Sequence, residues 1–306
     1  MGKQSNEISI VLDKLSKRYG NSKKLALDSV SLHVNSGEVY GFLGPNGAGK
    51  STAIRLLMNF IQPTAGSAKI LGNDIVNDSV EIKKSVGYLS GDFAVYPKMT
   101  GAQYLQYMGE LQNPASKAYV QKLIKRLKAE PNKKLGELSR GNRQKFGIIQ
   151  AFMHQPQIMI LDEPTSGLDP LMQEEFYKLI EEAKARGTAV FMSSHIMSEV
   201  QRTCDRVGII RDGKLVEERT IAEMKTEASQ TFDITFAGDV PLASLKTVKG
   251  IKVTNSVDNS VTVHMHGKLA PLFAVLAKSD VTKIDARNLD LEEIFLGFYE
   301  SKDKKS

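Results

Sequence analysis

The chain has 306 residues, 41% hydrophobic and 25% charged, which excludes global disorder and allows about two domains. Its net charge of +6 is scattered, with one short basic run at Lys302, Lys304 and Lys305, and that argues against a concentrated nucleic-acid footprint. The single cysteine, Cys204, excludes an internal disulfide and suits a reducing compartment; no stretch approaches the ~20 apolar residues of a membrane span, and the first residues lack the apolar core of a signal peptide.

Along the chain, Ile8, Ile10 and Leu12, then Val30, Leu32 and Val34, alternate with other residues and predict half-buried strands. Val39–Leu43 is an apolar run entering a glycine turn. A helix is expected from Ser51, with Ile54, Leu57, Met58 and Ile61 on one face and Pro63 as its stop. Tyr96 to Met153 reads as mostly helical, with apolar stripes at Tyr104, Leu105, Tyr107 and Met108 and at Leu123, Ile124 and Leu127. Ile158–Leu161 and Ala189–Met192 are continuous apolar runs, as in parallel strands covered on both faces, with a helix over Leu171–Ala185 between them. Strands alternating with helices predict a parallel α/β sheet.

The pattern changes near residue 222. Strands are expected at Thr231–Phe236, Ile251–Asn255, Val261–Met265 and Val281–Ala286, with helices at Leu242–Thr247, Ala270–Lys278 and Leu291–Glu300. The order β-α-β-β-α-β is that of the split βαβ, ferredoxin-like arrangement. This predicts domains over 1–221 and 222–306, the second a small α+β domain.

Gly44-Pro45-Asn46-Gly47-Ala48-Gly49-Lys50-Ser51 fits the G-x-x-x-x-G-K-[ST] pattern in full, and Thr52 follows it. Glycines let backbone N–H groups curl around a polyphosphate, and the following helix aims its positive end at it. Lys50 is placed to reach the β- and γ-phosphates, and Ser51 to hold Mg²⁺. Ile158–Leu161 runs into Asp162 and Glu163. Ligands of open α/β sheets sit beyond the carboxyl ends of strands, so Asp162 is a second Mg²⁺ ligand and Glu163 a group to orient or deprotonate water.

Further residues carry a family resemblance. Leu138-Ser139-Arg140-Gly141-Asn142-Arg143-Gln144-Lys145 resembles the ABC signature, and Ser139 can cap the helix that it opens. Ser166-Gly167-Leu168-Asp169 is similar to the D-loop, His195 to the switch histidine that senses the γ-phosphate, and Tyr19 to the aromatic that stacks on adenine. Over about residues 7–220 the chain resembles the ATP-binding subunit of an ABC transporter. The resemblance implies a cassette with a parallel core sheet, an antiparallel β edge and a helical subdomain at about 92–155. It also implies ATP held by the Gly44–Thr52 loop of one copy and by Ser139 and Gly141 of a second copy, with Asp169 a further nucleotide-binding residue and Glu163, His195 and Asp92 catalytic. The implied partners are a second copy and integral membrane permease subunits, contacted through Tyr96–Gly109, with membrane contact only through the permease, a cytoplasmic location and no nucleic acid.

Two positions depart from the family pattern. Arg140 stands where the signature has its first glycine, and Gly91 stands where the Q-loop has its glutamine, with Asp92 beside it as the substitute. These departures and Tyr96-Pro97-Lys98-Met99-Thr100-Gly101 resemble the branch serving bacterial drug, antibiotic and peptide exporters. Three rival readings fit the residues less well. A soluble ABC ATPase acting on nucleic acid or the ribosome would usually carry two cassettes or a long inserted coiled coil. An ATP-binding regulatory module would not need Asp162, Glu163 and His195 together. A guanine-reading GTPase would need Asp after Asn132-Lys133-Lys134, where Leu135 stands.

Overall fold

Apolar alternation closes the first strands into a sheet. The computed structural model describes residues 7–287 apart from 92, 94, 95, 113, 114, 228, 229 and 266. In chain order, β1 (Ile8–Lys17) pairs antiparallel with β2 (Leu27–Asn35), and β3 (Val39–Leu43) then runs through the glycine turn into α1 (Lys50–Leu57). β4 (Ala65–Ile70) returns to the other edge of β1, and β5 (Asn73–Asp74) pairs with β4. The strict alternation in β1 breaks at Lys14, which adopts φ 48° where the register shifts.

The helix after the glycine turn is shorter than expected. It ends at Leu57, and Asn59 takes a left-handed φ of 50° while Phe60 N–H bonds the Arg55 carbonyl at 2.8 Å. That six-to-one closure is a C-terminal cap, so Pro63 is not the stop and Ile61 lies beyond the helix.

The chain continues through α2 (Ser79–Ser85), β6 (Val86–Leu89), α3 (Gly101–Leu111), α4 (Lys117–Arg126), a 3₁₀ turn at Leu135–Glu137 and α5 (Arg140–Phe152). It returns as β7 (Ile158–Asp162), α6 (Pro170–Ala185), β8 (Ala189–Ser194), α7 (Met197–Thr203), β9 (Arg206–Arg211) and β10 (Lys214–Thr220). Six of these strands form one sheet in the order β10-β9-β3-β8-β7-β6. β3 is parallel to β8 and β9, and β7 is parallel to β6 and β8. Every residue of β3, β7 and β8 is buried, which explains the apolar runs Val39–Leu43, Ile158–Leu161 and Ala189–Met192 within them. Tyr40 stacks on Phe191 with ring centres 5.9 Å apart, and Phe42 lies tilted against the same Phe191 ring at 5.3 Å.

The chain falls into two compact units that divide between Arg219 and Thr220. The second begins with α8 (Ile221–Glu227), then β11 (Gln230–Phe236), α9 (Leu242–Lys246), β12 (Ile251–Val257), β13 (Ser260–Met265), α10 (Ala270–Leu276) and β14 (Val281–Arg287). Its sheet runs β12-β13-β11-β14 with every pair antiparallel. Phe232, Ile234, Phe236, Val261 and Val263 face Leu245, Leu272 and Leu276 in one apolar core. The helix expected over Leu291–Glu300 lies outside the described residues.

Candidate functional site

The glycine turn is shaped by what it passes. A Cβ at Gly44 would stand 2.4 Å from the Ile210 carbonyl oxygen, and one at Gly49, whose φ is 113°, 2.5 Å from that of Ala26. Larger residues cannot occupy either position without moving backbone. Between them, Gly213 N–H bonds the Ala48 carbonyl at 2.9 Å. Lys50 is buried; its Nζ donates to the Gly44 carbonyl at 2.7 Å and the Pro45 carbonyl at 3.1 Å, and lies 3.5 Å from Glu163 Oε1. Burial lowers the Lys50 pKa, and the facing Glu163 carboxylate opposes that shift.

These elements enclose a cavity of about 160 Å³ lined by Ala26, Asn46, Gly47, Gly49, Lys50, Ser51, Thr52 and Glu163. Its wall is thus the first turn of α1, a run of glycine backbone, one ammonium and one carboxylate, a set suited to a polyanion. A second cavity, about 250 Å³, shares Ala26 and Gly47 with it and is lined further by Tyr19, Ser22, Lys24, Leu25, Asp212 and Gly213. Tyr19 is 41% exposed, and its hydroxyl lies 3.4 Å from Thr52 Oγ1. A flat aromatic beside a phosphate-sized cavity is the layout that a nucleotide needs.

The acidic strand end meets the same cavity. Asp162 is buried, and its Oδ1 accepts the Ser193 hydroxyl at 2.5 Å. Glu163 turns into the left-handed region at φ 46°, where its N–H reaches Ser193 twice, at Oγ (3.1 Å) and at the carbonyl (3.2 Å). That turn brings Glu163 Oε1 to 3.1 Å from His195 Nδ1, so one carboxylate oxygen stands between an imidazole and an ammonium. Sequence reasoning missed Ser193. Its signal was the polar pair Ser193-Ser194 closing an apolar strand whose register sets Ser193 opposite Asp162.

Ser139, Gly141 and Asp169 are not among the described residues lining either cavity. Ser139 caps α5, accepting the Asn142 N–H at 3.3 Å. A Cβ at Gly141 would stand 2.2 Å from the Gly167 carbonyl, and Arg140 Nη2 donates to Ser166 Oγ at 3.2 Å. Gln144, buried one turn on, donates to the Pro164 carbonyl at 3.0 Å. The start of α5 is therefore joined to the segment that follows Glu163. Asp169 caps α6, accepting the Met172 N–H at 3.0 Å ahead of Pro170. Gly91 abuts Asp162, where a Cβ would lie 3.2 Å from the Asp162 carbonyl oxygen. Asp92 lies outside the described residues.

Residues 27–166 match the family described as ABC transporter. The bacitracin transport ATP-binding protein BcrA of Bacillus licheniformis is 34% identical over 293 residues, covering 92% of this chain and 94% of its own length. The doxorubicin resistance ATP-binding protein DrrA of Mycobacterium tuberculosis is 33% identical over 234 residues, 75% of this chain and 71% of its own. Among solved structures, a dimeric bacterial ABC transporter cassette is 25% identical with a TM-score of 0.63, covering 69% of this chain and 98% of that one.

Proposed function

Because this chain belongs to the ABC transporter family and is an ATPase, we propose that it powers export of a drug-, antibiotic- or peptide-like substrate through a separate membrane permease. The observation that carries the site assignment is Glu163 Oε1, held at the cavity wall between Lys50 Nζ and His195 Nδ1. ATP seats its triphosphate on the Gly44–Thr52 turn and its adenine against Tyr19, a stack worth about 1–3 kcal/mol. Lys50 exchanges the Gly44 and Pro45 carbonyls for the β- and γ-phosphates. Glu163 orients the attacking water and accepts its proton as the bond to the γ-phosphoryl group breaks, leaving ADP and phosphate. His195 holds the γ-phosphate side of the site, and Asp92 stands in for the Q-loop amide.

Ser51 and Asp162 would hold Mg²⁺. Both offer hard oxygen, and Ser51 lines the same cavity as Lys50 and Glu163. That suits an ion which takes most of its ligands from phosphate and water. Such an ion would neutralise charge on the phosphate oxygens.

Ser139, Gly141 and Asp169 serve the nucleotide of a second copy, which makes the working unit a homodimer. No helix among the described residues is long and apolar enough to cross a membrane. On the family likeness we assign membrane contact to the permease and this subunit to its cytoplasmic face. The second unit reads as ferredoxin-like, its strand order being that of a split βαβ. The deciding experiment is Glu163→Gln: it lowers ATP turnover by ~10²–10⁴-fold and traps an ATP-bound dimer. Unchanged turnover removes Glu163 from this role.

A further inference from the structure

One buried acid has no part in the mechanism above. Glu199, on α7, is 4% exposed, yet both its carboxylate oxygens are used. Oε1 accepts the Thr165 hydroxyl at 2.8 Å and Oε2 the Ser194 hydroxyl at 2.5 Å. Thr165 is two residues after Glu163, and Ser194 is one residue before His195; both are themselves buried. Ser194 Oγ also receives the Ile196 N–H at 3.0 Å, which fixes the turn on the far side of His195. Thr203 Oγ1 donates to the Glu199 carbonyl at 2.8 Å and anchors this end of α7.

These contacts form a closed circuit. It runs from Glu163 along the backbone to Thr165, across Glu199 to Ser194, along the backbone to His195, and back through the 3.1 Å contact to Glu163. We propose that Glu199 is a positioning residue that sets the Glu163–His195 separation by tying together the two segments that carry them. A carboxylate is costly to bury, and burial pushes the Glu199 pKa up. An apolar side chain would fill the space, but it could not accept two hydroxyls from two different segments. Without Glu199, Thr165 and Ser194 lose their common acceptor and the circuit opens opposite the reacting pair.

This rests on Glu163 acting on the attacking water, and the test separates the two claims. The measurement is ATPase kcat, ATP Kd and thermal midpoint for the full chain carrying Glu199→Ala, alone and with Glu163→Gln. Misplacing a reacting group by a fraction of its contact distance costs about 10–100-fold in kcat, and that loss is expected with ATP Kd little changed because the Lys50 cradle is intact. Glu199→Gln, which keeps one acceptor, recovers part of the loss. In the Glu163→Gln background the Glu199→Ala change adds nothing, since the group that it positions is already gone. A folded Glu199→Ala protein with parental kcat overturns the proposal, as does a full additional loss in that background, which is what a merely structural role gives. If Glu199→Ala does not fold, Thr165→Val and Ser194→Ala each break one joint, and parental kcat in both overturns it equally. If Glu163→Gln alone leaves turnover unchanged, the failure belongs to the assignment of Glu163 instead.

Discussion

The turn ending in Lys50 and the turn ending in Arg140 each open a helix, but they differ in what stands before them. The first looks onto a cavity closed by Glu163, with its cation already facing inward. The second has its orphan N–H satisfied by Ser139, and its glycine is pressed against the Gly167 carbonyl; neither Ser139 nor Gly141 lines the described cavities. One turn, on our reading, forms the wall of a ligand site. The other, on our reading, is a lid that needs a second molecule to supply the ligand. The contacts of Arg140 to Ser166 and of Gln144 to Pro164 join that second turn to the residues just after Glu163.

The largest expected effect tests the first turn. Lys50→Ala removes a buried ammonium that no neighbour replaces, and loss of charged hydrogen bonds of this kind weakens ATP affinity by about 10²-fold. Equilibrium binding of a fluorescent ATP analogue measures it, and turnover falls with it. Parental binding and turnover would break the comparison at its root.

The second turn is tested by mixing. Gly141→Ala drives a methyl group into the Gly167 carbonyl, so that protein binds ATP but turns it over poorly. Combined with Lys50→Ala protein, half of random dimers are mixed and each mixed dimer holds one site with both turns intact. The mixture then recovers up to about a quarter of the parental ATPase rate. No recovery, with dimers demonstrably exchanging, means that the two turns do not serve one nucleotide across a dimer.

A smaller effect reports on the cradle itself. In the free protein, burial lowers the Lys50 pKa; bound phosphates favour the charged form and raise it. Binding therefore takes up a proton between the lowered and the raised value. ATP affinity falls as pH rises through that window, by at most about tenfold per pH unit, and is flat below it. Calorimetry in buffers of different ionisation enthalpy counts the proton directly. The same profile in Lys50→Ala protein would assign the proton elsewhere.

The first turn was legible because its chemistry is local: eight consecutive residues specify the backbone, and the apolar strand before it specifies where it points. The acidic strand end was legible for the same reason. Ser193 and Glu199 were not, because their partners lie 31 and 34 residues away in Asp162 and Thr165, and only the parallel register of β7 and β8 and the packing of α7 bring them together. Pro63 is a visible stop in the sequence, whereas α1 ends earlier at the left-handed Asn59, whose side chain donates to the Val76 carbonyl 17 residues away at 3.3 Å. The second unit was legible as a pattern of elements, Gln230–Phe236 and Ser260–Met265 alternating cleanly, but no motif in it carries chemistry.

Asp169 tests the comparison at its finest scale, since our reading gives one carboxylate two roles. In the isolated chain it does a capping residue's work, accepting the Met172 N–H at 3.0 Å with Pro170 in the first helical position. Asp169→Ala therefore costs about 1 kcal/mol of stability, a shift of roughly 2–4 °C in the thermal midpoint of a unit this size. Asn caps as well as Asp, so Asp169→Asn restores the midpoint. If capping is all that the residue does, Asp169→Asn also restores turnover, and the segment after Glu163 belongs to the fold alone. If it also faces the second copy's nucleotide, Asp169→Asn keeps parental stability yet loses turnover a few-fold, because the geometry survives while the charge does not. The second outcome is the expected one, and it can be read only because the helix cap has been held constant.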